Sequence, residues 1–163
     1  MTKEFVDIRS PFTGGRVMEV CGEEEKVFRG EKYVVNVRYY QCEDTGEQFT
    51  TSEQDSVWTD EIHHQYRARH CIPSPEEIKA LRTGYGLNYS QFSRLLGFGP
   101  NQLKNYEDGQ VPSESNGKML SLVADPLTMM RLLEISRNEF SDADYKRIKQ
   151  KIAIKHLDEA LGR

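Results

Sequence analysis

The sequence predicts an α+β chain in which a small antiparallel β unit precedes an all-α unit. Three observations carry this. Runs rich in β-branched and aromatic residues with a two-residue period lie before residue 57. Beyond residue 73 the apolar residues recur at intervals of three and four, the period of helices. The charge also changes along the chain. Residues 1–70 hold 9 basic and 14 acidic side chains, whereas residues 71–163 hold 13 and 12. That asymmetry fits two units with different partners, and it fits ordinary surface variation equally well.

The chain has 163 residues, enough for one or two small domains. A hydrophobic share of 37% against 29% charged residues is that of a packed core with a polar surface. No apolar run approaches the roughly 20 residues that span a bilayer. Residues 1–5 lack the apolar stretch of a secretion signal, so export is not expected. Cys21, Cys42 and Cys71 are odd in number and without framework spacing, and they read as reduced thiols. The expected location is cytoplasmic.

Within the β unit, residues 1–57, two strands stand out. Residues 16–21 form a short mixed run. Residues 31–41 form a longer one, with Tyr33, Val35, Val37 and Tyr39 on one face and Val34 on the other. Val27 and Phe28 read as a further strand and Gly30 as a turn. Roughly 50 residues make a thin unit that usually needs a staple or a partner. Two turns repeat a pattern: Ser10-Pro11-Phe12-Thr13-Gly14-Gly15 and Cys42-Glu43-Asp44-Thr45-Gly46-Glu47. This is the shape of a zinc knuckle, but of the four ligand positions only Cys42 supplies a thiolate. Hydroxyls bind zinc poorly at neutral pH, so Ser10, Thr13 and Thr45 read as turn formers that bond the backbone.

Residues 58–72 read as a connecting helix within a stretch that opens at residue 52. Trp58, Ile62 and Tyr66 are spaced by four and share a face. His63 and His64 are adjacent and point to different sides, and His70 with Cys71 matches no ligand spacing. No metal is expected here. Pro73 and Pro75 end the helix near Cys71.

Residues 73–137 read as a series of short capped helices. Ser74 caps a helix that starts with Pro75, carries Glu76 and Glu77 in its first turn, and turns Ile78 and Leu81 inward. It stops at Thr83-Gly84. Asn88 caps a second helix, residues 89–96, with Phe92, Leu95 and Leu96 inward and Gly97 at its end. Phe98 is the expected buried residue of the following turn. Gly99-Pro100 opens a third helix with Leu103 and Tyr106 inward, ended by Asp108-Gly109. Ser113 opens a fourth, with Met119, Leu120, Leu122 and Val123 as its apolar residues. Asp125-Pro126 opens a fifth, through Leu127, Met130, Leu133 and Ile135.

Two short helices joined by Gly-Phe-Gly and flanked by two more have the helix-turn-helix layout, whose second helix enters the major groove. The outward positions of that helix are Asn101, Gln102, Lys104 and Asn105. Amides can pair with adenine through two bonds, and lysine can meet guanine or phosphate. Tyr89, Ser90 and Gln91 sit at a helix N-terminus suited to a phosphate. Asn116 and Lys118 are further backbone candidates. The partner so implied is double-stranded DNA, without a cofactor. The competing reading is a packing or dimerisation module, favoured by the lack of arginine on the groove helix and by 5 basic and 5 acidic residues over 75–124. No H-E-x-x-H, P-loop or nucleophile elbow occurs, so an enzyme is not expected.

Residues 138–163 read as a C-terminal helix capped from Ser141, with Tyr145, Ile148, Ile152, Ile154 and Leu157 as a partial stripe suited to a partner subunit.

Over residues 10 to about 125 the chain resembles the MqsA/YgiT family. The resemblance rests on the two turns quoted above, on Tyr39-Tyr40-Gln41, and on Pro75-Glu76-Glu77-Ile78, Leu87, Phe92, Leu95-Leu96-Gly97, Pro100, Leu103, Tyr106-Glu107-Asp108-Gly109 and Pro112. It implies a zinc-ribbon-like N-terminal domain followed by a lambda-repressor-like helix-turn-helix domain of the XRE/Cro type. It also implies a homodimeric antitoxin that represses its own operon and binds a protein toxin with its N-terminal domain. The family's zinc cysteines would fall on Ser10, Thr13, Cys42 and Thr45, three of which are hydroxyl residues here. Tyr89 stands where such helices often carry Gln, and Tyr106 where Trp is common.

Overall fold

The structure is a computed structural model that describes residues 1–162. It is α+β: a four-stranded antiparallel sheet is followed by helices. The chain divides into two compact units, Met1–Tyr66 and Arg67–Arg163. The division falls inside the helix α1 (Ser52–Arg69). No helix among the described residues is long and apolar enough to cross a membrane.

In the first unit the strands β1 (Thr2–Arg9), β2 (Arg16–Phe28), β3 (Glu31–Cys42) and β4 (Gln48–Phe49) lie in chain order across the sheet. The β2–β3 hairpin dominates it, pairing continuously from Val17 opposite Cys42 to Phe28 opposite Glu31. Its loop is Arg29-Gly30, and both residues have positive φ, 50° and 82°. That is the backbone twist a two-residue hairpin loop requires, and glycine at the second position suits it. Tyr33, Val35 and Val37 are buried and Val34 is exposed, as the two-residue period predicts.

Two features of the sheet differ from the sequence reading. Residues 16–21 are only the start of a 13-residue strand that also takes in Val27 and Phe28. The acidic run Glu23-Glu24-Glu25 resembles a loop in composition. Its pairing with β3 keeps it extended, and cations offset its charge, Lys26 meeting Glu24 at 2.8 Å and Lys32 meeting Glu25 at 2.7 Å. The strand β1 was not expected. It buries no residue, so it carries no burial period to read.

Helix α1 starts at Ser52, six residues before the expected connecting helix, and buries Gln54, Ile62 and Tyr66. Its side chains cover the edge of β3 that β4 leaves open. The Glu61 carboxylate accepts from the Asn36 backbone N–H at 2.9 Å, and the Gln65 amide donates to the Val34 carbonyl at 2.8 Å. Phe28 packs edge-on against the Tyr66 ring, with centroids 5.2 Å apart.

The second unit holds α2 (Pro75–Gly84), α3 (Tyr89–Leu96), α4 (Gln102–Glu107), α5 (Glu114–Leu122), α6 (Pro126–Ile135), a single 3-10 turn (Arg137–Glu139) and α7 (Asp142–Ala160). Ser74, Asn88, Ser113, Asp125 and Ser141 cap their helices by accepting from a backbone N–H of the first turn. One buried cluster joins all six helices, from Ile78 and Phe92 through Leu103, Leu120 and Met129 to Ile148 and Ile152. The last helix therefore packs into the same core as α2–α6. Of the apolar residues the sequence places on these helices, Leu122, Leu127, Ile135, Ile154 and Leu157 are exposed. In α6 the core residue of the methionine pair is Met129, while Met130 is half-buried.

Candidate functional site

The pair α3–α4 is built from strong local signals. A capping box starts α3: the Asn88 side chain accepts from the Gln91 N–H at 2.9 Å, and the Gln91 side chain accepts from the Asn88 N–H at 3.3 Å. Gly97 ends the helix in the left-handed conformation, φ 69°, and the Phe98 N–H bonds back to the Ser93 carbonyl at 2.8 Å. Phe98 is half-buried and meets the Tyr106 ring edge-on at 5.9 Å. The turn continues through Pro100 and Asn101, so α4 begins at Gln102, two residues later than expected, and spans six residues.

Helix α4 has two sides. Leu103 and Tyr106 are 0% and 1% exposed and anchor it in the core. Asn101, at its cap, and Lys104 and Asn105 are exposed, and Gln102 is half-buried. The Asn101 side chain makes no cap bond, which leaves its amide facing outward. This surface offers amide donors and acceptors and one amine.

Four of the other expected DNA contacts are engaged within the chain. The Tyr89 hydroxyl donates to Glu107 at 3.1 Å. The Gln91 side chain holds the capping box, donates to Asp144 at 3.3 Å and accepts from Arg147 at 3.3 Å. The Asn116 amide donates to the Tyr106 hydroxyl at 2.8 Å, and Lys118 pairs with Glu114 at 2.7 Å. The Tyr89, Gln91 and Asn116 contacts tie α3, α4 and α5 to their neighbours, whereas the Lys118 pair lies within α5. Ser90 stays exposed at the start of α3.

The anchor beneath α4 is a pair that sequence reasoning missed. The Arg82 guanidinium donates to both oxygens of Glu107, at 2.6 and 3.0 Å, and to the Leu87 carbonyl at 3.1 Å. Its central carbon, Cζ, lies over the Tyr89 ring, 4.1 Å from the ring centre. Glu107, by hydrogen bonding and charge, holds the guanidinium pKa above its ordinary value. Arg82 and Glu107 are 25 residues apart, and no spacing rule links them.

In the sheet unit the two repeated turns come together around Cys42, which is fully buried. Hydrogen bonds from Ser10 first, then Thr45 and Thr13, hold its thiol at about 6, well below the ordinary 9.0. The Thr13 hydroxyl lies 3.5 Å from the sulfur and donates to Asp44 at 2.7 Å. Ser10 accepts from the Phe12 and Thr13 N–H groups, and Thr45 bonds Glu47. Three hydroxyls with bonds of their own and one thiolate do not suit a zinc ion. Among the described residues, no three His, Cys, Asp or Glu gather as a metal site.

No protein-family model matches the chain, and no curated protein matches it.

Proposed function

We propose that the chain is a sequence-specific DNA-binding transcriptional regulator in which α3 and α4 form a lambda-repressor-like helix-turn-helix and α4 enters the major groove. The observation that carries this reading is the two-sidedness of α4. Leu103 and Tyr106 seat it in the core, and Asn101, Lys104 and Asn105 face outward from a helix that the Arg82–Glu107 pair holds in place. Outward amides are the groups that read adenine edges. Within this reading the chain is not an enzyme. It acts in the cytoplasm as a homodimeric antitoxin of the MqsA/YgiT type, repressing its own operon. Its sheet unit, a metal-free relative of a zinc ribbon, takes the protein toxin.

The test is selection of binding sites from random duplex DNA by the full chain. Enrichment of a two-fold motif with half-sites one helical turn apart, about 34 Å, is the expected result. Recovery of unenriched DNA overturns the reading.

A protein-interaction adaptor with a vestigial helix-turn-helix is the second reading, and one observation favours it. Arg82, Arg94 and Lys118 are engaged by Glu107, the Glu139 carbonyl and Glu114, so few cations around α4 remain for phosphates.

A further inference from the structure

Helix α7 has two apolar faces. Ile148 and Ile152 are 0% and 1% exposed and fill the core of the second unit. On the opposite side Ile154 and Leu157, with Leu161 at the C-cap just beyond the last turn, are 46%, 59% and 63% exposed. At 3.6 residues per turn these three and Gln150 form a line with spacings of four, three and four. That is the spacing of a coiled-coil seam rather than of a helix lying on a globular core. The flanks of the seam differ. Lys151 and Asp158 lie along one side, and the small residues Ala153 and Ala160 along the other, all of them exposed.

We infer that this face of α7 is the self-association surface of the chain and takes a second copy of α7 in antiparallel orientation. Antiparallel pairing sets Ile154 against Leu157 of the second copy and Gln150 against its Leu161. The two-fold axis then places Lys151 beside Asp158 of the second copy, twice over. In the reverse, parallel pairing each flank meets the opposite flank of the second copy, so Lys151 and Asp158 would lie along the side that carries Lys146, Ala153 and Ala160 and would not meet each other. Charge complementarity therefore selects both the occupant and its direction. The alanine flank lets the backbones approach closely, and antiparallel helices also oppose their dipoles favourably. A two-half-site operator requires two copies, so the seam deepens the regulator reading and rests on it for its purpose.

The seam is short, about 16.5 Å from Gln150 to Leu161 at 1.5 Å per residue, so association in the micromolar range is expected. The test is sedimentation of the full chain without DNA over a concentration series. The wild-type chain is expected to dimerise. Leu157→Asp and Ile154→Asp should each weaken the dimer at least tenfold, with a melting temperature equal to the wild type's when both are measured at concentrations where the chain is monomeric, because both side chains lie outside the core. Lys151→Asp and Asp158→Lys should each weaken it, and the two together in one chain should restore it. A wild-type chain that stays monomeric at hundreds of micromolar overturns the inference, as does a dimer indifferent to Leu157→Asp and Ile154→Asp. A double charge swap no tighter than the single ones overturns the antiparallel pairing. Association is read without DNA and operator selection without reference to association. A chain that dimerises through α7 yet enriches no DNA thus sinks only the regulator reading. Enrichment of a half-site by a chain that is monomeric in solution sinks only the seam.

Discussion

Arg82 and Glu107 form a two-bond ion pair whose side chains are 11% and 3% exposed, and it joins the end of α2 to the end of α4. A pair this deeply placed is held by geometry. Removing one partner leaves the other buried and uncompensated, whereas removing both leaves neither charge behind. Glu107→Ala should lower unfolding stability by about 3–5 kcal/mol. Arg82→Met combined with Glu107→Leu should cost clearly less than the sum of the two single changes. Urea unfolding of the four chains in a double-mutant cycle checks this, and additive losses would contradict it.

Ser93 gives the opposite sign. Its hydroxyl is buried in α3 without a hydrogen-bond partner. A desolvated hydroxyl that gains nothing in return is a cost to the folded state. Ser93→Ala should therefore leave the fold intact and raise stability by up to about 1 kcal/mol. A loss of stability on thermal unfolding would show that the hydroxyl has a partner in solution.

Cys42 should titrate with a midpoint near 6 when thiolate absorbance is followed against pH. Because the folded state holds the thiol below its ordinary 9.0, the thiolate's contribution to stability is complete above 9.0 and fades as pH falls through about 6. Cys42→Ser should remove that dependence. Ser10→Ala should raise the midpoint more than Thr13→Val, because the single Thr13 proton is held by Asp44 at 2.7 Å, nearer than the sulfur at 3.5 Å. Metal analysis of the same protein should find no stoichiometric zinc. One zinc per chain would mean that the hydroxyls yield to a different donor set.

On the regulator reading, Asn101→Ala, Gln102→Ala and Asn105→Ala should fold normally, and at least one should lose about 1–3 kcal/mol of discrimination at one base pair. If Lys104 meets a phosphate, Lys104→Ala should weaken all sequences alike and reduce the salt slope by about one. Binding to a selected operator and to scrambled DNA measures both. Unchanged specificity in all three amide variants favours the adaptor.

The helical unit was legible where local chemistry decides structure. Asn88, Gln91 and Gly97 mark the limits of α3 through capping and the left-handed turn, and both signals are confined to a few residues. The spacing of Leu103 and Tyr106 likewise gave the inward side of α4. The remainder depends on distant partners. The acidic stretch of β2 is a strand because β3 lies beside it. Arg82 meets Glu107 across 25 residues, and Glu107 also accepts from the Tyr89 hydroxyl. The two faces of α7 could be told apart only once the core had used Ile148 and Ile152.

The contacts of α1 with β3 also limit how the sheet can grow. With Glu61 and Gln65 occupying the backbone groups of Asn36 and Val34, and β4 taking Tyr40 and Gln41, no further strand can join on that side. The remaining border is β1, whose outer backbone is open along eight residues and carries Lys3, Glu4, Asp7 and Arg9. Mixed charges along an open border deter indiscriminate stacking of sheets while leaving room for a strand with the matching sequence of signs. Any extension of this sheet, whether by a binding partner or by aggregation, is thereby confined to the first nine residues.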